Sequence, residues 1–195
     1  MAKRSSRNGR LSGLKETLTE KHLSGTDETV EAVVGVLLYD DPASDLNILL
    51  IHRAKRIDDP WSGQIGLPGG RVVHSDRSTR EALMREVSEE VGINLNDEGE
   101  ELGTLSIGSP MRQLGMKVQP WVYGLMKLPK VKIGPEVQQA FWVPVARLPS
   151  LRSSAEIEIR GTRRVVDSFN VNGHVVWGYT HRVLNELLSL EEKPS

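Results

Sequence analysis

Leu67-Pro68-Gly69-Gly70, followed after a short polar stretch by Arg85-Glu86-Val87-Ser88-Glu89-Glu90-Val91-Gly92-Ile93, decides how this chain is read. A glycine turn precedes a segment with helical signals at both ends. Ser78 suits the N-cap, with Glu81 three residues on as its reciprocal partner, a capping-box pattern. Gly92 suits the left-handed position just past a helix. The spacing therefore predicts a helix from about Thr79 to Val91. At roughly 100° per residue, Leu83, Met84, Val87 and Val91 share one arc and Glu86, Glu89 and Glu90 share the arc beside it. One face can pack on a core while the other presents three acids to a cleft. Like charges at this spacing disfavour a helix by a few tenths of a kcal/mol per pair. A bound cation converts that repulsion into ligation, and oxygen-only ligands suit Mg²⁺ or Mn²⁺ rather than zinc. A lone E-x-x-E-E is more often a solvated helix face. The preceding Pro-Gly-Gly turn, the adjacent Arg and the two caps reverse that reading here.

These residues resemble a known family. The stretch from Gly70 to Ile93 is similar to the Nudix box, G-x5-E-x7-R-E-U-x-E-E-x-G-U with U aliphatic. Arg85, Glu86, Val87, Glu89, Glu90, Gly92 and Ile93 match it directly. The interval from Gly70 to Arg85 is one residue longer than usual, and Asp76 stands where the box has its first Glu. Both departures resemble the coenzyme A pyrophosphatase branch, which also carries a G-x3-F-P-G-G element just upstream. The chain has Gly63-Gln64-Ile65-Gly66-Leu67-Pro68-Gly69-Gly70 there, with Leu67 in place of Phe. The branch's L-L-x-x-R-S-x3-R-x3-G run is met in part by Leu49-Leu50-Ile51-His52-Arg53. Ala54 replaces its Ser, Arg56 is slightly displaced, and Asp58 and Asp59 stand near the place of the second Arg. Val176-Trp177-Gly178-Tyr179-Thr180 resembles the branch's W-G-x-T element at the start of its last helix. The resemblance covers about residues 30 to 190.

The resemblance implies an α/β fold, an α-β-α sandwich around a mixed β-sheet. It implies a single catalytic domain over 29–192, preceded by an extension (1–28) that is partly mobile or a short helix. It further implies Glu86, Glu89 and Glu90 as ligands of Mg²⁺ or Mn²⁺, with the Gly70 carbonyl as an extra ligand. Arg85 would orient Glu86 or pair with Asp76. Glu89 is the first candidate for the general base and Glu136 the second. Arg53 and Arg56 are candidates for binding substrate phosphates, for which guanidinium is well shaped. Arg112 stands as a weaker candidate for touching the nucleotide, and Trp61 and Trp121 for stacking on adenine. His52, His74 and His181 lack metal-ligand spacing.

The expected substrate is a nucleoside diphosphate linked to another group, first of all coenzyme A or its acyl derivatives. An ADP-ribose or dinucleotide pyrophosphatase is the alternative within the enzyme class. A non-catalytic nucleotide sensor is the alternative outside it. The resemblance also allows a homodimer.

Composition fits a domain of ordinary size. The 195 residues are 38% hydrophobic and 26% charged, near globular averages and enough for a real core. A net charge of −1 provides no overall field for nucleic acid or an anionic membrane, and neither is expected as a partner. The absence of cysteine excludes disulfides, thiolate catalysis and zinc-cysteine sites. No apolar run approaches a membrane span. The basic N-terminus (Lys3, Arg4, Arg7, Arg10) is followed by no apolar stretch, so a cytoplasmic location is expected.

Leu11, Leu14 and Leu18 fall at helical spacing. Strands are expected over Glu31–Tyr39, Leu46–His52, Leu102–Ile107, Met116–Met126 and Ala140–Val145. Glu156–Arg164 and Val165–Val171 read as a hairpin pair, and Asn172-Gly173 as a turn. Tyr179–Leu190 reads as a last helix with Val183, Leu184, Leu187 and Leu188 inward.

Overall fold

Alternation along two apolar strands builds the layers of this fold. A computed structural model describes residues 9–22, 29–41, 45–57, 61–159 and 161–191. Residues 1 to about 10 are expected to be mobile; residues 1–8 lie outside the described residues, as do Asp58, Asp59 and Arg160, whereas Gly9 and Arg10 begin the first helix. The chain runs α1 (Gly9–His22), β1 (Ala32–Asp40), β2 (Leu46–Arg53), β3 (Ile65–Gly66), β4 (Gly69–Arg71), α2 (Thr79–Val91) and α3 (Leu95–Glu98). It continues through β5 (Gly99–Thr104), β6 (Val118–Leu125), β7 (Val137–Pro144), a 3-10 stretch (Val145–Leu151), β8 (Arg152–Ile159), β9 (Thr162–Val171), β10 (His174–Trp177) and α4 (Gly178–Glu191).

Seven of the described strands form a mixed sheet in the order β3-β2-β1-β6-β5, with β4 added to β1 and β7 to β2, and the other three form a second sheet in the order β10-β9-β8. β1 runs parallel to β6 and antiparallel to β2 and β4. Successive side chains of a strand point to opposite faces, and both faces here are apolar. Val33, Leu37, Leu49 and Ile51 pack with Leu83, Val87 and Val91 of α2. Val36, Leu38, Ile48 and Leu50 face the other way and pack with α1 and α4. Helices thus cover both faces, the α-β-α arrangement the resemblance implies. Each fully buried Leu or Val contributes roughly 2 kcal/mol relative to exposure, which is why near-continuous apolar strands settle in a central sheet. Leu11, Leu14 and Leu18 of α1 join the same core as Val183, Leu184, Leu187 and Leu188 of α4.

The structure differs from the sequence expectations in several details: the short β3, β4 and α3 were not expected, and β7 and β8 begin earlier than the expected Ala140 and Glu156. The strand expected at Leu102–Ile107 lies earlier, at Gly99–Thr104. The short α3, capped by Asn94, delivers Gly99 opposite Leu125. After Thr104 the chain turns its polar groups to α4, where the Ser106 N–H donates to the Glu186 carboxylate at 3.0 Å. The hairpin expected to break between Arg164 and Val165 turns earlier, because Ile159 pairs with Thr162. Gly161 sits there at φ 75, a left-handed conformation that glycine adopts at no steric cost. β10, absent from the expected strands, pairs with β9 after the Asn172-Gly173 turn. Both turn residues have positive φ, 53 and 82, as a two-residue hairpin loop of this kind requires.

Candidate active site

The floor of the site is the glycine turn pressed against β1. β4 pairs Gly70 with Val33 and Gly69 with Val34, and the Gly35 N–H donates to the Pro68 carbonyl at 2.7 Å. The two glycines are needed for different reasons. Gly69 has φ 148, and a Cβ on it would lie 2.2 Å from the Val33 carbonyl oxygen. A Cβ on Gly70 would lie 2.5 Å from the Glu86 carboxylate. One position is closed by backbone, the other by a functional side chain.

The acids arrive on α2, which starts and ends where its caps lie. Ser78 accepts from the Glu81 N–H, and Gly92 adopts the left-handed conformation with its N–H on the Ser88 carbonyl. The reciprocal half of the expected capping box is displaced by one residue, since Glu81 accepts from the Arg77 N–H at 2.7 Å rather than from that of Ser78.

Glu90 is 3% exposed. Its two oxygens accept from the Gly69 N–H at 2.8 Å and from Arg53 Nη1 at 3.0 Å. Burial pushes its pKa up to about 7, against the opposing pull of Gly69 and Arg53, while Glu86 and Glu136 add to the rise. Glu86 is also raised, first by burial, although Arg85 Nη1 donates to it at 2.7 Å. Glu89 differs from both. Its side chain is 63% exposed and its nearest described cation is Arg85 Nη1 at 3.6 Å.

Arg85 both pairs with Asp76 and orients Glu86, the two roles the resemblance allows it. Nε and Nη2 hold the two oxygens of Asp76 at 3.1 and 2.9 Å, and Nη2 also donates to the Arg71 carbonyl at 3.0 Å. The Arg85 hydrogen bonds, then the Val73 N–H, hold the Asp76 carboxyl below its ordinary range. The loop from the turn to the helix is thereby closed around one guanidinium, a planar donor that suits a carboxylate bidentately.

Arg53, Arg56 and Glu136 form the rim. Arg56 Nη1 donates to Glu136 at 2.6 Å, and Arg53 Nη2 stands 3.7 Å from its other oxygen. The loop that carries Glu136 is fixed to the end of α2, with the Lys132 and Gly134 N–H groups on the carbonyls of Val91 and Glu90, each at 2.9 Å. The Ala54 N–H donates to the Glu136 carbonyl at 2.9 Å. Arg53 and Glu136 therefore meet because two loops are tied together.

A cavity of about 350 Å³ opens beside these groups. Arg53, Gly70, Arg71, Glu86 and Glu136 line it together with apolar residues of β1, β3, β6 and α4. Glu89 and Arg56 are not among its lining residues. Trp61 lines it, whereas Trp121 packs instead toward the α2 side of the sheet. Tyr179, Met116 and Pro110 line it without having been singled out from the sequence. Tyr179 was readable only as part of the W-G-x-T element. Its hydroxyl donates to the Val118 carbonyl at 2.7 Å, and burial pushes its pKa up to about 12. His52 packs on the His174 ring at 4.8 Å and His181 on Phe169 at 4.9 Å, while His74 is exposed. Arg112 lies over the Trp177 ring, 5.5 Å from its centroid.

The donor chemistry fits a hard divalent cation. Glu86 and Glu90 crowd the Gly69-Gly70 turn; the charges of Glu86 and Glu136 help raise the pKa of Glu90, and those of Glu89 and Glu136 that of Glu86, the electrostatic situation that a cation relieves. Among the described residues, however, no group of three or more His, Cys, Asp or Glu side chains is gathered in metal-holding positions. The expected trio is divided, with Glu89 turned toward Arg85.

Comparison with known proteins agrees with this architecture. The NUDIX domain model matches residues 29–164. A peroxisomal coenzyme A diphosphatase of Caenorhabditis elegans is 33% identical over 120 residues, 60% of this chain and 50% of that protein. The chain thus spans about half the length of the nematode relative. An uncharacterized Nudix hydrolase, NudL, of Cronobacter sakazakii is 32% identical over 153 residues, 75% of this chain and 77% of that protein. The crystal structure of a Nudix hydrolase from M. smegmatis, RenU, superposes with a TM-score of 0.52 at 17% identity, covering 62% of this chain and 74% of that one. That last likeness concerns the fold. No helix among the described residues is long and apolar enough to cross a membrane.

Proposed function

This chain belongs to the NUDIX domain family, and from that premise we propose that it is a pyrophosphohydrolase that cleaves coenzyme A or its acyl derivatives. The observation that carries the reading is the gathering of Glu86, Glu90, Glu136 and Arg53 around the Gly69-Gly70 turn at a cavity with apolar walls. The similarity to a coenzyme A diphosphatase supports the choice of substrate.

Glu86, Glu89, Glu90 and the Gly70 carbonyl would hold a divalent cation. Such a cation, Mg²⁺ or Mn²⁺, would neutralise phosphate oxygens and lower the pKa of bound water. Arg53 and Arg56 bind the diphosphate through charge-assisted hydrogen bonds. Arg85 holds Glu86 in place from behind. We assign the general base to Glu136 ahead of Glu89, because Glu136 lines the cavity and Glu89 does not. A base must reach the water's proton within hydrogen-bond distance of the bound substrate. The proton passes to that carboxylate as the water oxygen attacks phosphorus and the bridging P–O bond breaks. The products are 3′,5′-ADP and 4′-phosphopantetheine.

An ADP-ribose or dinucleotide substrate is the second reading. Ala54 and the displaced Arg56 favour it, as departures from the coenzyme A motif. Incubation with Mg²⁺ and a panel of coenzyme A, ADP-ribose, NADH, dinucleoside polyphosphates and nucleoside triphosphates separates the two by mass spectrometry of the products. Release of 3′,5′-ADP, lost in Glu136→Gln and retained in part in Glu89→Gln, is expected. AMP from ADP-ribose or NADH instead would replace the substrate. Ligand binding with no turnover would point to a sensor. No nucleic acid or membrane is required, and the chain is expected in the cytoplasm or an organelle matrix.

A further inference from the structure

Arg71 ends the glycine turn, at a position the box pattern leaves open. Its main chain belongs to the floor of the site. Arg71 pairs with Ala32 of β1, and the N–H of Val72 after it donates to the Glu31 carbonyl at 3.0 Å. Its own carbonyl accepts from Arg85 Nη2 at 3.0 Å. The side chain therefore leaves a fixed base, and it stands at the cavity beside Glu86.

Among the described residues, those with charged side chains that line the cavity are Arg53, Arg71, Glu86 and Glu136. The two cations differ in how their charge is met. Arg53 lies 3.0 Å from Glu90 and 3.7 Å from Glu136. Arg71 Nη2 donates to the Gln113 side-chain oxygen at 3.0 Å, a neutral acceptor, and among the described residues no carboxylate is paired with it. Gln113 is presented by the loop between β5 and β6. Its N–H closes a turn on the Pro110 carbonyl at 3.0 Å, and its carbonyl accepts from the Met116 N–H at 3.2 Å. Pro110 and Met116 line the cavity, whereas Gln113 does not. The amide thus holds the guanidinium at the edge of the cavity through one exposed bond. A phosphate is the better acceptor, because a charged acceptor makes the bond roughly twice as strong and two phosphate oxygens match the planar fork.

We infer that Arg71 is a further diphosphate-binding residue, whose guanidinium exchanges the Gln113 amide for non-bridging phosphate oxygens when substrate enters the cavity. The inference rests on the proposed pyrophosphohydrolase reading and adds to it a contact from the turn itself. Arg71 takes no part in bond cleavage; it holds the diphosphate next to Glu86.

The test uses the full chain and the variants Arg71→Gln, Arg71→Lys, Gln113→Glu and the double variant Arg71→Gln/Gln113→Glu. One readout is the kinetics of whichever substrate of the panel the parent chain cleaves. The other is equilibrium binding of methylenediphosphonate (a diphosphate analogue with carbon at the bridge), measured by calorimetry with Mg²⁺. Loss of a hydrogen bond to a charged group should raise both KM and the analogue Kd about tenfold in Arg71→Gln, with kcat much less affected. Arg71→Lys should retain part of the binding. Gln113→Glu supplies Arg71 with a carboxylate that competes with phosphate, so KM and Kd should rise although the resting contact becomes an ion pair. In the Arg71→Gln background the same change should add little. A contact that only braces the loop would be strengthened by Gln113→Glu and leave KM unmoved, which overturns the inference. Equal rises from Gln113→Glu in both backgrounds mean general repulsion and overturn it too. Turnover by the parent chain with KM and Kd unchanged in Arg71→Gln overturns the inference alone. Should Arg71→Gln not fold, Gln113→Glu decides, and unchanged KM and Kd there overturn it. A parent chain that cleaves no substrate of the panel overturns the pyrophosphohydrolase reading, and this inference with it.

Discussion

Glu89 and Glu90 are neighbours on one helix and live in opposite surroundings. Glu90 belongs to the floor of the site, 3% exposed and gripped by Gly69 and Arg53. Glu89 belongs to the rim, 63% exposed and 3.6 Å from Arg85. The same division separates the Asp76–Arg85–Glu86 network from the exposed Arg56–Glu136 pair. Floor carboxylates are held by buried or half-buried donors, Gly69 and Arg53 on Glu90 and Arg85 on Asp76 and Glu86, and bear the electrostatic cost of burial. Rim carboxylates are paired in water, where an ion pair contributes little. The floor therefore fixes geometry, and the rim is free to exchange partners when substrate arrives.

If that contrast holds, the largest effect belongs to the floor. Gly69→Ala drives a Cβ into the Val33 carbonyl at a positive φ, and a loss of more than about 3 kcal/mol in stability is expected. Denaturant unfolding checks it; a loss under about 1 kcal/mol would show that the turn yields.

Next in size is a pH effect. The Glu90 pKa of about 7 lies above its ordinary 4.5, so the folded chain binds this proton more tightly than the unfolded one. The resulting stability is fully present below about pH 4.5 and is lost as pH rises through 7, roughly 1–3 kcal/mol in all. Measured in chelator, the parent chain should lose this increment while Glu90→Gln does not. Parallel curves would break the distinction between floor and rim. Asp76 has the opposite sign. Its lowered pKa adds stability above the unfolded value, and that part disappears as the medium becomes strongly acidic.

Arg85→Lys is expected to cost about 1–2 kcal/mol, because an ammonium cannot hold both Asp76 oxygens together with the Arg71 carbonyl. Mg²⁺-dependent turnover should fall with it as Glu86 loses its support. The smallest change in stability belongs to the rim. Arg56→Ala removes an exposed ion pair and should cost no more than about 0.5 kcal/mol. Its effect should appear in KM for a diphosphate substrate. A large loss of stability there would place Arg56 in the floor.

Much of this division was hidden in the sequence, although the parts were visible. Ser78 and Gly92 bounded α2 correctly, because caps are local: one side chain or one φ angle satisfies the ends of the helix whatever lies around it. Val183, Leu184, Leu187 and Leu188 were legible for a similar reason, since a helical period marks an inner face. The strand at Leu102–Ile107 was misplaced because its end is decided by Glu186, far along the chain. The hairpin break was misplaced because Gly161 and the β8–β9 register outweigh the local pattern.

The sequence by itself determined the family, the glycine turn, the helix with its caps and the three acids on one arc, all features set by residues within a few turns of one another. Tertiary structure alone decided which acid is buried, that Arg53 grips Glu90, that Glu136 joins the cavity while Glu89 faces solvent, and that Arg71 meets Gln113. Helical spacing specifies a direction from the axis. Burial, charge and partners depend on what other segments bring to that direction, and those segments are distant in the chain.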